Sequence, residues 1–278
     1  MLFRSALGQP FTHHIADDHT GAALRLDVPA YRRPSLDWML LHGERSERWI
    51  RSRWETWDAA RASLETRAAG LMANVEPASI AEAAPVPSQP YVYIEDISPL
   101  LVDAVLTAED GDFFFHKGMS WPNLAAAVAK NAASGGFDFG ASTLSMQVIK
   151  NLFLSQDKTL SRKAQEAALV FLMEEHAATP KERILELYLN VAEFGPGIYG
   201  AERAARHYFG LPASKLDLGQ ALWLASILPS PKRYYRYYEQ GEISDGWFER
   251  MRGILAVMVE RGRVSQAQAD AVSKPRFP

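Results

Sequence analysis

The 278-residue chain contains no cysteine, which excludes a disulfide framework, thiolate metal sites, iron–sulfur clusters and a cysteine nucleophile. That absence leaves the compartment open, because many exported proteins carry no disulfide. A surplus of either charge is also missing: 30 Lys and Arg stand against 33 Asp and Glu, a formal net charge of -3. A duplex binder must neutralise many phosphates, so nucleic acid is not an expected partner and any anion recognition has to be local. No uncharged run approaches the length of a bilayer-spanning helix. The stretch from Gly219 to Pro231 has 13 residues and ends in Pro-Ser-Pro. The opening MLFRSALGQPFTHH has no continuous apolar core of the kind a signal peptide needs. A segment that exports or anchors the protein is therefore expected upstream of Met1 or absent from this chain. Useful strand alternation is lacking beyond Ile94, and no internal repeat occurs.

What is present is ample material for a core, with 47% hydrophobic residues. Residues 1–35 mix Pro, Gly and polar residues without a sustained period and read as irregular or short-strand structure with no assignable role. Their His13, His14, Asp17, Asp18 and His19 read as a solvated cluster rather than a metal site. From Ser35 to about Met72, Trp38, Leu41, Trp49, Ile50, Trp54, Trp57 and Leu64 recur at helical spacings, which predicts an amphipathic helix or helix pair. The segment ASIAEAAPVPSQP then reads as a linker. It divides an N-terminal region, 1–90, from a second unit, 91–278, and a fragment starting near Pro90 is expected to fold alone. Beyond it the reading is mainly α. Ser98 before Pro99 predicts an N-cap and first helical position. Thr179, Pro180 and Glu182 predict a capped helix with Ile184, Leu185 and Tyr188 on one face, and Ser265 with Gln268 predicts a capping box.

Three segments carry groups suited to chemistry. In AEDGDFFFHKG, Glu109 ends an apolar helix beside Asp110, His116 and the aromatic run Phe113 to Phe115. There a carboxylate can have a raised pKa and accept a proton. In GGFDFGASTLSMQVIKN, Ser142 is the expected N-cap, with Thr143 beside it, and Gln147, Lys150 and Asn151 follow at spacings of three and four. After Lys158, SRKAQEAALVFLMEE sets Arg162 and Glu166 one turn apart, with Lys163 alongside. Taken singly, these are a solvated helix end, an exposed helix face and a surface ion pair. Taken together, two glutamates, four cations and several hydrogen-bonding side chains suit a glycosyl transfer in which a diphosphate leaves.

At these residues the chain resembles the peptidoglycan glycosyltransferases, found as the polymerase domain of class A penicillin-binding proteins and as monofunctional transglycosylases. The resemblance runs from about Tyr91 to about Tyr235 through EDGDFFFHKG, GASTLSMQVIKN, RKAQE, ILELYLNVAEFGPGIYGAERAARHYFG and ALWLASILPSP, in the family's order. It implies a mainly α, lysozyme-like helical lobe with a smaller membrane-facing lobe. It implies Glu109 as general base and Glu166 as a second essential glutamate near the departing diphosphate. Lys150, Arg162 and Lys163 fall on the family's basic positions, Lys158 stands where an arginine is common, and Ser142, Thr143 and Gln147 match its substrate-binding stretch. Asp110 and His116 join them as substrate-binding candidates. The chain departs from the family pattern at Met146, where a glutamine is usual before Gln147, and at Gly219 and Gln220, where an acidic pair is usual.

The reaction so implied is inverting polymerisation of lipid II into glycan strands, at the outer face of the cytoplasmic membrane or in the periplasm. The expected partners are lipid II, the growing glycan chain, the membrane surface and other cell-wall synthesis proteins. A divalent cation, Mg or Mn, is the one cofactor expected. Two rivals are a lysozyme-like glycan hydrolase and a non-catalytic scaffold that holds lipid-linked glycan. A retaining hydrolase would want two carboxyls about 5 Å apart and no cation cluster.

Three other signals read as follows. Gly195, Gly197 and Gly200 match GxGxxG literally, but a helix precedes them, so they are expected to shape a loop beside the cleft. The run KRYYRYY suits a membrane surface better than stacked bases. In MSWPNLAAAVAKNAASGGFDFGAST, apolar Trp121, Leu124, Val128, Phe137 and Phe139 accompany Gly135, Gly136 and Gly140. This predicts either a segment that dips into the membrane interface or a core helix with its loop.

Overall fold

The first 35 residues, patternless in sequence, supply strands. β1 (Phe11–Ala16) pairs antiparallel with β2 (Ala23–Val28), in a register from Phe11 opposite Val28 to Ala16 opposite Ala23. A short parallel strand, β3 (Ser88–Gln89), joins the other side of β2. Leu24, Leu26 and Val28 alternate inward, the period-2 pattern of a half-buried sheet. The computed structural model describes residues 8–16, 23–43, 45–72, 88–118, 142–153, 160–176 and 179–277, the side chains of 64–72, 160–164 and 175–176 excepted.

The amphipathic region is a helix pair. α1 (Leu36–His42) starts at Ser35, whose hydroxyl accepts the Trp38 N–H, and α2 spans Glu47–Met72. Next comes α3 (Pro99–Glu109), with Leu101 to Leu106 buried without interruption. A helix apolar all round sits in a core, and α3 is crossed by α8 (Leu218–Ile227) and α11 (Asp245–Glu260). α4 (Leu144–Phe153) packs on α5 (Leu160–Phe171), which runs into a π turn at Leu172–His176, and on α6 (Lys181–Val191). The three glycines of the GxGxxG match shape a hairpin, β4 (Glu193–Gly195) and β5 (Ile198–Tyr199), leading into α7 (Ala201–Phe209). Gly200 has φ +83°, and a Cβ there would meet the Asn190 carbonyl oxygen at 2.8 Å. Two short helices, α9 (Pro231–Tyr234) and α10 (Arg236–Glu239), and a final α12 (Gln266–Asp270) complete the mainly α architecture.

All eleven residues of α6 are buried, polar ones included, so its apolar face has no solvent face behind it. Buried charges need partners, and other segments supply most of them, with Arg183 and Glu186 also paired within the helix. Lys181 pairs with Glu174 at 2.8 Å, and Glu182 accepts from Tyr31 and the Trp54 indole. Arg183 donates to Glu186 at 2.5 Å and to the Pro29 carbonyl, while Glu186 also accepts from the Ile94 N–H. Farther off, His42 Nδ1 lies 2.8 Å from the Asp103 carboxylate of α3, and Arg263 donates to the carbonyls of Leu41 and His42. Many contacts thus cross the boundary read near residue 90.

Two caps differ from the sequence expectation. Ser98 is the N-cap residue of α3 and Pro99 opens the helix, as expected, but the Ser98 hydroxyl donates to the Leu216 carbonyl and makes no cap hydrogen bond. No capping box forms at Thr179 and Glu182: Pro180 takes the N-cap position and the glutamate is engaged by Tyr31 and Trp54. Among the described residues no helix is long and apolar enough to cross a membrane.

Candidate active site

Glu109 is the last residue of α3 and contacts Gln147, which lines a cavity of about 530 Å³, a size suited to a small-molecule or sugar ligand. Gln147, Lys150 and Asn151 of α4 form one side of that cavity, with Tyr188 of α6 behind them. Glu193 of β4 and Lys232 of α9 stand elsewhere on the wall, 3.6 Å apart. β1 contributes His13 to Ala16 to the wall, and Tyr199 of β5 lies on it too. A cavity of similar volume, about 550 Å³ between Asp217–Gln220 and Gln268–Arg276, contains none of the candidate site residues, whereas the first is lined by Gln147 and Lys150.

The Glu109 carboxylate accepts a hydrogen bond from Gln147 Nε2 at 2.8 Å. Burial pushes the Glu109 carboxyl above the usual carboxylate range, and the Gln147 N–H and the Lys150 charge act in the opposite direction. Behind Gln147, the Tyr188 hydroxyl donates to the amide oxygen at 3.4 Å, which turns the amide nitrogen towards Glu109. Burial, and then the Glu109 charge, hold Tyr188 well above its ordinary pKa, so the phenol keeps its proton and remains a donor. A chain of three side chains from three motifs thus links the Glu109 carboxylate to Gln147 and Tyr188 of the cavity wall.

Asp110 fixes the relation between the first two motifs. Its Oδ2 accepts the Leu144 N–H at 3.0 Å, where α4 begins, and both carboxylate oxygens lie 2.9 to 3.0 Å from His116 Nε2. An acid at a helix N-terminus satisfies an orphan amide and complements the helix dipole. Here the acid comes from another segment. Thr143, not Ser142, is the local cap: its hydroxyl accepts the Met146 N–H at 3.3 Å and donates to the Gly118 carbonyl at 2.5 Å. Gly118 closes the first motif with φ +73°, and a Cβ there would lie 2.4 Å from Val170 Cγ1 on α5. Asp110 and Thr143 therefore act as joints of the site, buried and engaged with protein, while Ser142 is exposed.

Glu166 is buried on α5. Arg162 and Lys163 lie one turn before it on the same helix, with side chains outside the described set. Lys158 and the apolar, glycine-containing segment 119–141 also fall outside the described residues. Sequence reasoning missed Tyr188 as a site residue, although it lies inside a quoted motif. It also missed Lys232, within KRYYRYY, and all of β1, where no periodicity or motif marks the residues.

A buried carboxylate of raised pKa, bonded to a side chain on the wall of a sugar-sized cavity that also carries a lysine, has the chemistry to take a proton from a hydroxyl next to an anionic group. The transglycosylase family model matches residues 77–259, about two thirds of the chain. The chain belongs to that family. A biosynthetic peptidoglycan transglycosylase of Azoarcus sp. (strain BH72) is 45% identical over 166 residues, covering 60% of this chain and 70% of that one. A protein of the same description from Brucella suis biovar 1 is 49% identical over 141 residues, 51% of this chain and 62% of that one.

Proposed function

We propose that the chain is a peptidoglycan glycosyltransferase that polymerises lipid II, with Glu109 as general base. The observation that carries this reading is the hydrogen bond from Gln147, which shares a cavity wall with Lys150, to Glu109. Glu109 takes the proton from the 4-hydroxyl of the acceptor sugar as that oxygen attacks the anomeric carbon of the growing chain. The bond to the diphosphate breaks on the opposite face, which inverts the configuration. Lys150, with Lys158, Arg162 and Lys163, stabilises the charge that develops on the diphosphate, and Glu166 orients those cations.

Mg or Mn belongs to the same proposal and would neutralise diphosphate charge. Among the described residues no group of three His, Asp or Glu side chains could cage a metal. Glu166 is the carboxylate that would help hold such an ion, whose charge would complement the diphosphate, a common use of Mg. The substrate places the reaction at the outer face of the cytoplasmic membrane, with the membrane surface and other cell-wall proteins as neighbours. Support for the transfer direction comes from the family and from the names of its relatives.

Incubation of the full chain with lipid II, followed by gel separation of products, tests the reading. Glycan strands of increasing length are expected, and Glu109→Gln should lower turnover at least a hundredfold without unfolding the protein. Cleavage of finished glycan with no polymer formed would replace the proposal with a hydrolase.

A further inference from the structure

One wall of the cavity, β1, lies outside the segment matched by the family model. Its backbone orientation follows from three observations. Pro90, directly after β3, has no N–H to offer Leu26, so the parallel register of Arg25 with Ser88 and Leu26 with Gln89 requires Arg25 to turn its backbone groups towards β3. Leu26 then faces β1, and its opposite residue His13 faces back. By alternation Thr12, His14 and Ala16 direct their N–H and C=O groups away from β2.

The second observation agrees: Thr12 and Asp27 touch side chain to side chain at 2.8 Å, as closely spaced pairs without backbone bonds do. The third is that the Ala16 carbonyl accepts from the hydroxyl of Tyr199, itself on the cavity wall. The outer edge of β1 therefore faces the cavity at His14 and Ala16, and among the described residues no strand pairs with it.

An open strand edge is a template for an extended amide chain. We infer that the outer edge of β1, through the backbone N–H and C=O of His14, binds the peptide borne by the peptidoglycan precursor as an added strand. The inference rests on the function proposed above. The occupant is fixed by location, since the cavity that holds the glycan presents this edge, and the peptide is the precursor's extended amide portion. The cations of the cavity, Lys150 and Lys232, lie on other elements than β1. Burial, and then His14, push His13 down to about 4, so it adds no positive charge that would favour phosphate.

The experiment uses the full chain and two lipid-linked disaccharide diphosphates, one with its complete peptide and one with the peptide removed. Wild type is expected to show a KM about five- to tenfold lower for the peptide-bearing form, the scale of one or two backbone hydrogen bonds. His14→Pro removes the outward N–H without breaking the ladder, since proline is tolerated at such edge positions. This variant should erase the preference, and His14→Ala, which keeps the N–H, should retain it. A wild type without preference, a His14→Pro variant that keeps it, or an equal loss on both substrates would overturn the inference. If His14→Pro fails to fold, hydrogen exchange of the wild-type His14 amide decides: only the peptide-bearing substrate should slow it, and no slowing overturns the idea. Wild type that polymerises neither substrate defeats the proposed function instead.

Discussion

Glu109 faces opposing demands. Acting as a base requires the carboxylate, yet burial favours the acid. Gln147 eases the conflict because its N–H bond exists in full strength only to the ionised form. Replacing Gln147 by Ala should therefore raise the Glu109 pKa further and move the acid limb of the pH–rate profile to higher pH. A limb that stays in place would mean the contact only positions the base. The same shift bears on stability. With its pKa raised on folding, the native protein binds more protons than the unfolded chain, so Glu109 costs stability as pH rises from the ordinary carboxylate range through its own raised value. Across that window the melting temperature of wild type should fall relative to that of Glu109→Gln. The buried setting of Glu109 was legible because a Glu at the end of an apolar helix, beside an aromatic run, carries its own environment in the sequence. Tyr188 was not, since a tyrosine within an apolar helix face reads as core until Gln147 is seen beside it.

At the level of elements, the site depends on where α3 ends and α4 begins, and Asp110 ties the two together. Asp110→Ala strips the Leu144 N–H and His116 of their acceptor. It should cost about 1 to 3 kcal/mol in thermal or denaturant unfolding, and Asp110→Asn should recover part of the loss through the amide oxygen. Activity should fall with it, because α4 carries Gln147. Caps divide sharply by the origin of their partners. Ser265 and Gln268 form the expected capping box, both partners lying within three residues. Ser98, Ser142 and Glu182 depart from expectation because Leu216, Asp110, Tyr31 and Trp54 provide or claim the hydrogen bonds from far along the chain. Local pattern locates helix starts well, and tertiary contacts decide which side chain serves them.

For the molecule as a whole, the first 63 residues supply what α6 and α3 need. A fragment starting at Pro90 would leave Glu182 without Tyr31 and Trp54, Arg183 without the Pro29 carbonyl, and Asp103 without His42. It would also expose the apolar surface that covers Ile50 and Trp57. Contrary to the expectation drawn from the linker's composition, such a fragment should show no cooperative melting and should aggregate on purification. A soluble fragment with a sharp transition would refute this. The mainly α class was readable from helical periodicity. The reach of residues 11–58 into the second unit was not, since contacts over such separations leave no periodic trace. That reach has a consequence in time. Tyr31 finds Glu182 across 151 positions. At roughly 5 to 20 residues per second, the ribosome delivers the second residue on the order of ten seconds after the first. Throughout that interval Trp54 of α2 lacks its α6 partner, so the nascent chain should be a client for a chaperone that holds aromatic segments until α6 emerges.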